Sequence, residues 1–201
     1  MRAGLKNEDT MPEAKRAEHP QIISRGDAAY PGCLIARLGA DAPPSIFIVG
    51  SAEPVSGKLT AFLCSKEAPG GTILRAFDQV AAWRDAGRCV ISGFHSPLEQ
   101  QALEILLRGK QPVVMVLARG LGKLRLPAGQ KKALADGRLT IVSPVLATEK
   151  RVTANLARQR NRFVAALADE VVFAFVSQGG SLSRLDEEVA TWGVGSQHLY
   201  R

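Results

Sequence analysis

Cysteine, histidine and aromatic side chains are all scarce in this 201-residue chain. Its three cysteines, Cys33, Cys64 and Cys89, are odd in number and form no Cys-x-x-Cys pair, while His19, His95 and His198 are scattered. That spacing argues against a structural zinc site, and nothing in the chain calls for a cofactor. Cys64 and Cys89 sit in apolar runs and read as small core residues in a reducing compartment. No apolar run approaches the roughly 18–20 residues needed to span a bilayer. The N-terminus, Met1-Arg-Ala-Gly-Leu-Lys-Asn-Glu-Asp9, places charges where a signal peptide needs an apolar segment. The expectation is a cytoplasmic protein with no membrane contact. Aromatics make up only 5% of the residues, which leaves few rings for stacking on bases.

What is present is an apolar content of 46%, enough at this length for one well-buried core. The net charge of +7 is concentrated. Between Arg119 and Arg162 eleven basic residues face only Asp136 and Glu149, a surplus of nine, so the rest of the chain is slightly acidic. A surplus confined to one segment suggests a surface facing a polyanion.

Residues 1–25 are polar and without period, and read as a flexible N-terminal arm. Residues 26–57 form a lead-in with turn signals at Tyr30-Pro31-Gly32 and Asp41-Ala-Pro43-Pro44, and one short strand, Ile46–Val49. From residue 58 to 201 short apolar runs alternate with amphipathic segments. Strands are expected at 59–64, 88–91, 112–117, 139–142 and 171–176, with a last short one near 197–200. Helices are expected at 72–86, 97–108, 131–136, 149–168 and 182–192. This alternation predicts an α/β fold, a Rossmann-like doubly wound and mostly parallel sheet in three layers.

In such sheets ligands bind beyond the carboxyl ends of the strands. Three strand exits share a composition suited to phosphate. The first, Ser65-Lys66, puts a cation just past a strand, with Thr72 as the expected helix cap. The second is Ser92-Gly93-Phe94-His95-Ser96. Ser96, Pro97 and Glu99 form a capping box with a first-turn proline, and Ser92-Gly93 offers backbone N–H groups to a phosphate. His95 could donate to phosphate or stack on a base. The third, Ser177-Gln178-Gly179-Gly180-Ser181, opens the last helix with glycines that expose backbone donors, and Gln178 could hydrogen-bond a base or sugar.

The cluster Arg158-Gln-Arg160-Asn161-Arg162 adds planar guanidinium forks. On one unbroken helix at about 100° per residue, Arg151, Asn155, Arg158 and Arg162 share a face. Arg160 falls instead beside the apolar stripe of Val152, Leu156, Phe163 and Leu167. A guanidinium there is either paired with a buried carboxylate or directed into the ligand cleft.

These motifs together resemble the Rossmann-like domain of the DNA-processing protein DprA (Smf) family over about Tyr30 to Trp192. Tyr30-Pro31 resembles the family's lead-in, and Ala61 to Lys66 its strand ending in Gly-Ser-Arg. Cys89 to Gly93 resembles its Val-Ser-Gly turn, and Val116-Leu-Ala-Arg119-Gly120-Leu121 its Leu-Gly-x-Gly-Leu segment. Arg160-Asn161-Arg162 through Asp169 is similar to its Arg-Asn-Arg element, and Ser177 to Leu182 to its Ser-Gly-Ser-Leu turn. The chain departs at Cys64, where the family has Gly, and at Ser96 to Glu99. The resemblance implies a non-enzymatic protein that binds single-stranded DNA, with a role in DNA processing or recombination. It also implies a RecA-type recombinase as partner, and the fold class accommodates a homodimer. Implied site residues are Ser65, Lys66, Ser92, Gly93, Phe94, His95, Ser96, Arg119, Gly120, Arg160, Asn161, Arg162, Gln178, Gly179, Gly180 and Ser181. Two other functions stand beside it. One is a nucleotide-binding sensor. The other is a nucleoside-monophosphate N-glycosidic hydrolase, because Gly179 to Asp186 is similar to the Pro-Gly-Gly-x-Gly-Thr-x-x-Glu motif of related hydrolases, with Leu182 in place of Gly and Asp186 in place of Glu.

Overall fold

Five of the apolar runs are too short for buried helices and apolar at nearly every position, so they form strands covered on both faces. The computed structural model describes residues 20–122 and 124–200. It contains the strands β1 (Gln21–Ser24), β2 (Ser45–Val49), β3 (Thr60–Cys64), β4 (Val90–Ser92), β5 (Val113–Val116), β6 (Leu139–Ser143), β7 (Glu170–Phe175) and β8 (Gly195–His198). The helices are α1 (Gly32–Leu38), α2 (Glu53–Ser56), α3 (Gly70–Asp85), α4 (Pro97–Leu106), α5 (Ala128–Ala135), α6 (Ala154–Leu167) and α7 (Ser181–Thr191). No helix among the described residues is long and apolar enough to cross a membrane.

The strands form one sheet in the order β1-β2-β6-β5-β4-β3-β7-β8. β1 and β2 run antiparallel to their neighbours, and the others are parallel. The period of two along each strand divides the core into two layers. Phe62, Met115 and Val172 face a cluster built with Ala76, Val80 and Trp83 of α3 and Leu98 to Leu106 of α4. Leu63, Val114 and Phe173 face the other cluster, built with α1, α6 and α7. The expected three-layer, mostly parallel sheet is therefore what the chain adopts.

Among the parallel strands β3 to β8 the order contains one reversal. From β3 the chain steps outward through β4, β5 and β6, then α6 carries it back so that β7 pairs on the free side of β3. The carboxyl ends of β3 and β7 thus bound the topological switch point. The register there slips: Leu63 pairs with Phe173 but Cys64 with Phe175, an extra β7 residue that alters how the two strands end.

Several elements differ from the sequence expectation, α2 in the lead-in among them. Residues 21–24, expected in the arm, form β1, which pairs with β2; residues 1–19 of that arm lie outside the described residues. The lead-in contains α1, where Leu34 and Leu38 are buried, besides the short strand. Helix α6 begins at Ala154 rather than residue 149, because Thr153 accepts a hydrogen bond from the Leu156 N–H and sets the N-cap. Arg151 therefore precedes the helix and cannot share its face with Arg158. Thr72 is inside the first turn of α3 rather than its cap; the N-cap is Pro69.

Side-chain ties hold α6 in place. Arg37 of α1 donates to the Ala166 and Ala168 carbonyls at 2.9 and 2.6 Å, satisfying groups that the helix end leaves open. Arg162 grips Glu188 of α7 with Nε and Nη2, the shortest contact at 2.6 Å, and donates Nη1 to Asp41 at 3.0 Å.

Phe62 is fully buried and meets Trp83 edge-on at 5.7 Å between ring centroids. Phe62→Ala is expected to lower the unfolding free energy by about 3–5 kcal/mol, read from urea denaturation.

Candidate functional site

The switch point gathers the exits of β3, β4 and β7, and a carboxylate links the first two. Glu99 belongs to the capping box at the start of α4, where Ser96 accepts from the Glu99 N–H at 3.2 Å. Its own carboxylate does more than close that box. It accepts from the N–H groups of His95 and Ser96 at 2.8 and 3.2 Å, and from the Cys64 N–H of β3 at 2.9 Å. Three backbone donors on one buried carboxylate lock the end of β3 to the turn after β4. The sequence signals the box but not its reach to β3, since that contact depends on tertiary register.

The negative charge of Glu99 has a cation opposite. Arg160, from α6, is 5% exposed, yet no carboxylate lies within ion-pair distance of it and its Nε has no hydrogen-bond partner among the described residues. Its guanidinium lies where a side chain at position 93 would stand; a Cβ on Gly93 would coincide with it. Gly93 is therefore the vacancy that admits the arginine from across the sheet. Desolvation pulls the guanidinium's pKa down and the Glu99 carboxylate pulls it back up, so the group carries its charge in an enclosed place. The sequence expected an inward Arg160 beside the apolar stripe, and the structure places it so.

Around this pair the expected site residues divide. Lys66 and Gln178 are exposed just beyond β3 and β7. Ser65 and Ser177 join the two exits: the Ser177 N–H donates to Ser65 Oγ at 3.0 Å and the hydroxyls meet at 3.2 Å. Gly179 takes a left-handed φ of 68°, and Gly180 is the N-cap of α7, so no side chain there occupies the first-turn donors that continue through Ser181. Helix α3, starting at the same edge, likewise has no side-chain cap, whereas α4 and α6 do. Two uncapped helix starts and a free lysine at one crevice favour an anion there. Thr72, in the first turn of α3, adds a second enclosed polar atom, its Oγ1, without a partner among the described residues.

Other expected residues are placed differently. Three backbone donors of the second turn are already used: Phe94 N–H by Ser92 Oγ at 3.2 Å, and His95 and Ser96 N–H by Glu99. Phe94, held at φ 46°, is buried against the α4 side of the core, so its ring offers no stacking face. The His95 side chain is exposed. Gly120 is buried because the loop at Leu146-Ala147 lies against it, leaving no room for a Cβ, which makes it a packing glycine. Arg119 turns back to the Gly120 carbonyl at 3.3 Å. Asn161 is half-buried beside Arg160. Arg162 is committed to Glu188 and Asp41, and its pKa is raised first by the Glu188 hydrogen bonds.

Two observations narrow the chemistry. Burial and then the Glu99 charge push the Cys64 thiol up to about 12, so no thiolate is available at neutral pH. Asp186, the carboxylate a hydrolase would use, is hydrogen-bonded to His198 Nε2 at 2.7 Å on the β8 side of α7.

Residues 21–189 match the sequence family described as DNA recombination-mediator protein A. No curated protein matches the chain. Among solved structures, DNA processing protein A (DprA) from Streptococcus pneumoniae superposes with a TM-score of 0.75 at 18% identity, covering 92% of this chain and 64% of that one. DNA processing protein A from Helicobacter pylori, described by its single-stranded DNA binding mode, gives 0.71 at 15% identity, covering 90% of this chain and 82% of that one. A molybdenum cofactor binding protein from Rippkaea orientalis gives 0.50 at 10% identity, over 70% of this chain and 75% of that one. This chain thus spans less than two thirds of the pneumococcal structure. At these identities the superpositions establish a shared fold, and the sequence match carries the family.

Gly93→Ala forces Arg160 out of its place and is expected to destabilise the protein by about 1–3 kcal/mol. In an Arg160→Ala background the same change should cost much less, a coupling that a double-mutant cycle in urea measures.

Proposed function

The chain belongs to the DNA recombination-mediator protein A family, and from that premise we propose that it binds single-stranded DNA in a DNA-processing role, without catalysing a reaction. The observation that carries the reading is Arg160. A nearly enclosed guanidinium with no ion partner is costly unless an anion completes it. A backbone phosphate reaching the Gly93 turn supplies that anion. Lys66 and the first turns of α3 and α7, with Ser65, Gln178, Gly179 and Ser181, surround the neighbouring phosphate positions. The exposed cations Lys131, Lys132, Lys150, Arg151 and Arg158 add a looser electrostatic track.

The remaining residues of the Arg-Asn-Arg element serve the frame. Arg162 ties α6 to α7, which keeps Arg160 aimed. A nucleoside-monophosphate hydrolase is not favoured, since Asp186 faces His198. A nucleotide sensor would use the same phosphate positions, and competition by nucleoside monophosphates separates it from a polymer-binding protein. Partnership with a RecA-type recombinase follows from the family resemblance alone and homodimerisation from the fold class; co-sedimentation with a recombinase and light scattering test them.

The expected result is an oligonucleotide affinity that falls steeply with salt, followed by fluorescence anisotropy of labelled oligo-dT. Arg160→Met should weaken it about tenfold or more, the scale of a lost charged hydrogen bond. The same variant should raise the unfolding free energy by about 1–4 kcal/mol, because an uncompensated buried charge is gone. Opposite signs on binding and stability mark a binding residue. Absence of single-strand binding by the wild type at low salt would sink the proposal. Arg162→Ala is expected to lower stability by about 1–3 kcal/mol, read from the urea midpoint.

A further inference from the structure

Resting on the single-strand reading, we infer that Tyr200 is the platform on which a nucleobase stacks at the open side of the switch-point crevice. Single-strand binding folds couple a cationic groove to aromatic faces, and the crevice itself supplies no such face. Phe94, the ring nearest the phosphate positions in sequence, is buried. Of the eleven aromatic residues in the chain, Tyr200 is the one that the structure leaves exposed, at 41%.

Its position fits the role. β8 runs parallel to β7, so the chain leaves β8 at the same sheet edge as the crevice. The ring leans on Phe175 with centroids 6.2 Å apart and planes at 47°. Phe175 is the last residue of β7, pairs with Cys64, and accepts from the Ser65 N–H at 2.9 Å. The platform therefore stands one strand from the exits joined by Ser65 and Ser177.

The backbone beside it is fixed. Leu199 N–H donates to the Phe173 carbonyl at 3.0 Å, and Arg75 of α3 donates to the Leu199 carbonyl at 3.3 Å. Arg75 and Lys66 are both exposed, which supplies cations for the phosphates on either side of a stacked base. Between the ends of β4 and β8 lie three strand spacings, about 14 Å, a span that one short oligonucleotide bridges from Arg160 to Tyr200. An exposed tyrosine combines a rigid apolar face with a wet hydroxyl, which suits a base that is sometimes absent.

The test compares wild type, Tyr200→Ala and Tyr200→Trp on two probes, a labelled oligo-dT and an abasic oligomer of equal length and charge. The expected result is a loss on the order of tenfold for Tyr200→Ala on oligo-dT, no loss on the abasic oligomer, and retained affinity with quenched indole fluorescence for Tyr200→Trp. Equal affinity of Tyr200→Ala and wild type for oligo-dT overturns the inference, as does an equal loss on both probes. An unchanged urea midpoint for Tyr200→Ala shows that the variant folds. Failure of wild type to bind either probe overturns the single-strand reading itself, and Tyr200 with it.

Discussion

A carboxylate on the first turn of α4 accepts three backbone N–H bonds from two different strand exits. Without Glu99 the ends of β3 and β4 have no common fastening, since the ladder between these two strands stops at Ala61 and Ile91. A buried carboxylate bonded in this way is fully solvated by protein, and its charge then organises what surrounds it. It opposes ionisation of Cys64 and favours the charge on Arg160. The crevice thus holds an internal anion that is satisfied beside an internal cation that has no ion partner among the described residues.

The asymmetry between Arg160 and Arg162 shows how one helix separates frame from site. Two residues apart, they project to different sides of α6. Arg162 meets two carboxylates and fixes the helix against α7; Arg160 meets a glycine and a gap. Neither the residue type nor the spacing distinguishes them by chemistry. Their neighbours do: Glu188 and Asp41 on one side, Gly93 on the other.

Much of the fold is legible in the sequence. Uniformly apolar runs such as Thr60–Cys64 and Val113–Val116 can only be strands covered on both faces, and the capping box at Ser96 marks a helix start by local geometry alone. The inward turn of Arg160 follows from its angle on the wheel. Other features were not legible because they depend on partners distant in the chain. β1 is polar at two of four positions, Gln21 and Ser24, exposes Ile22, and becomes a strand by pairing with β2. The donors of the second turn look free until Glu99 reaches them, and Phe94 looks available until its strained backbone buries the ring. Tyr200 is not legible as part of the crevice because its neighbour Phe175 lies 25 residues earlier in the chain.

The unmatched charge of Arg160 also bears on how the folded state is populated. On the proposed single-strand reading, a phosphate that completes the guanidinium would bind only the assembled chain, because α6 and the Gly93 turn meet nowhere else. Occupancy and foldedness are then linked quantities, and free polyanion shifts the unfolding equilibrium by mass action. The molecule's melting temperature becomes a concentration gauge for its own ligand.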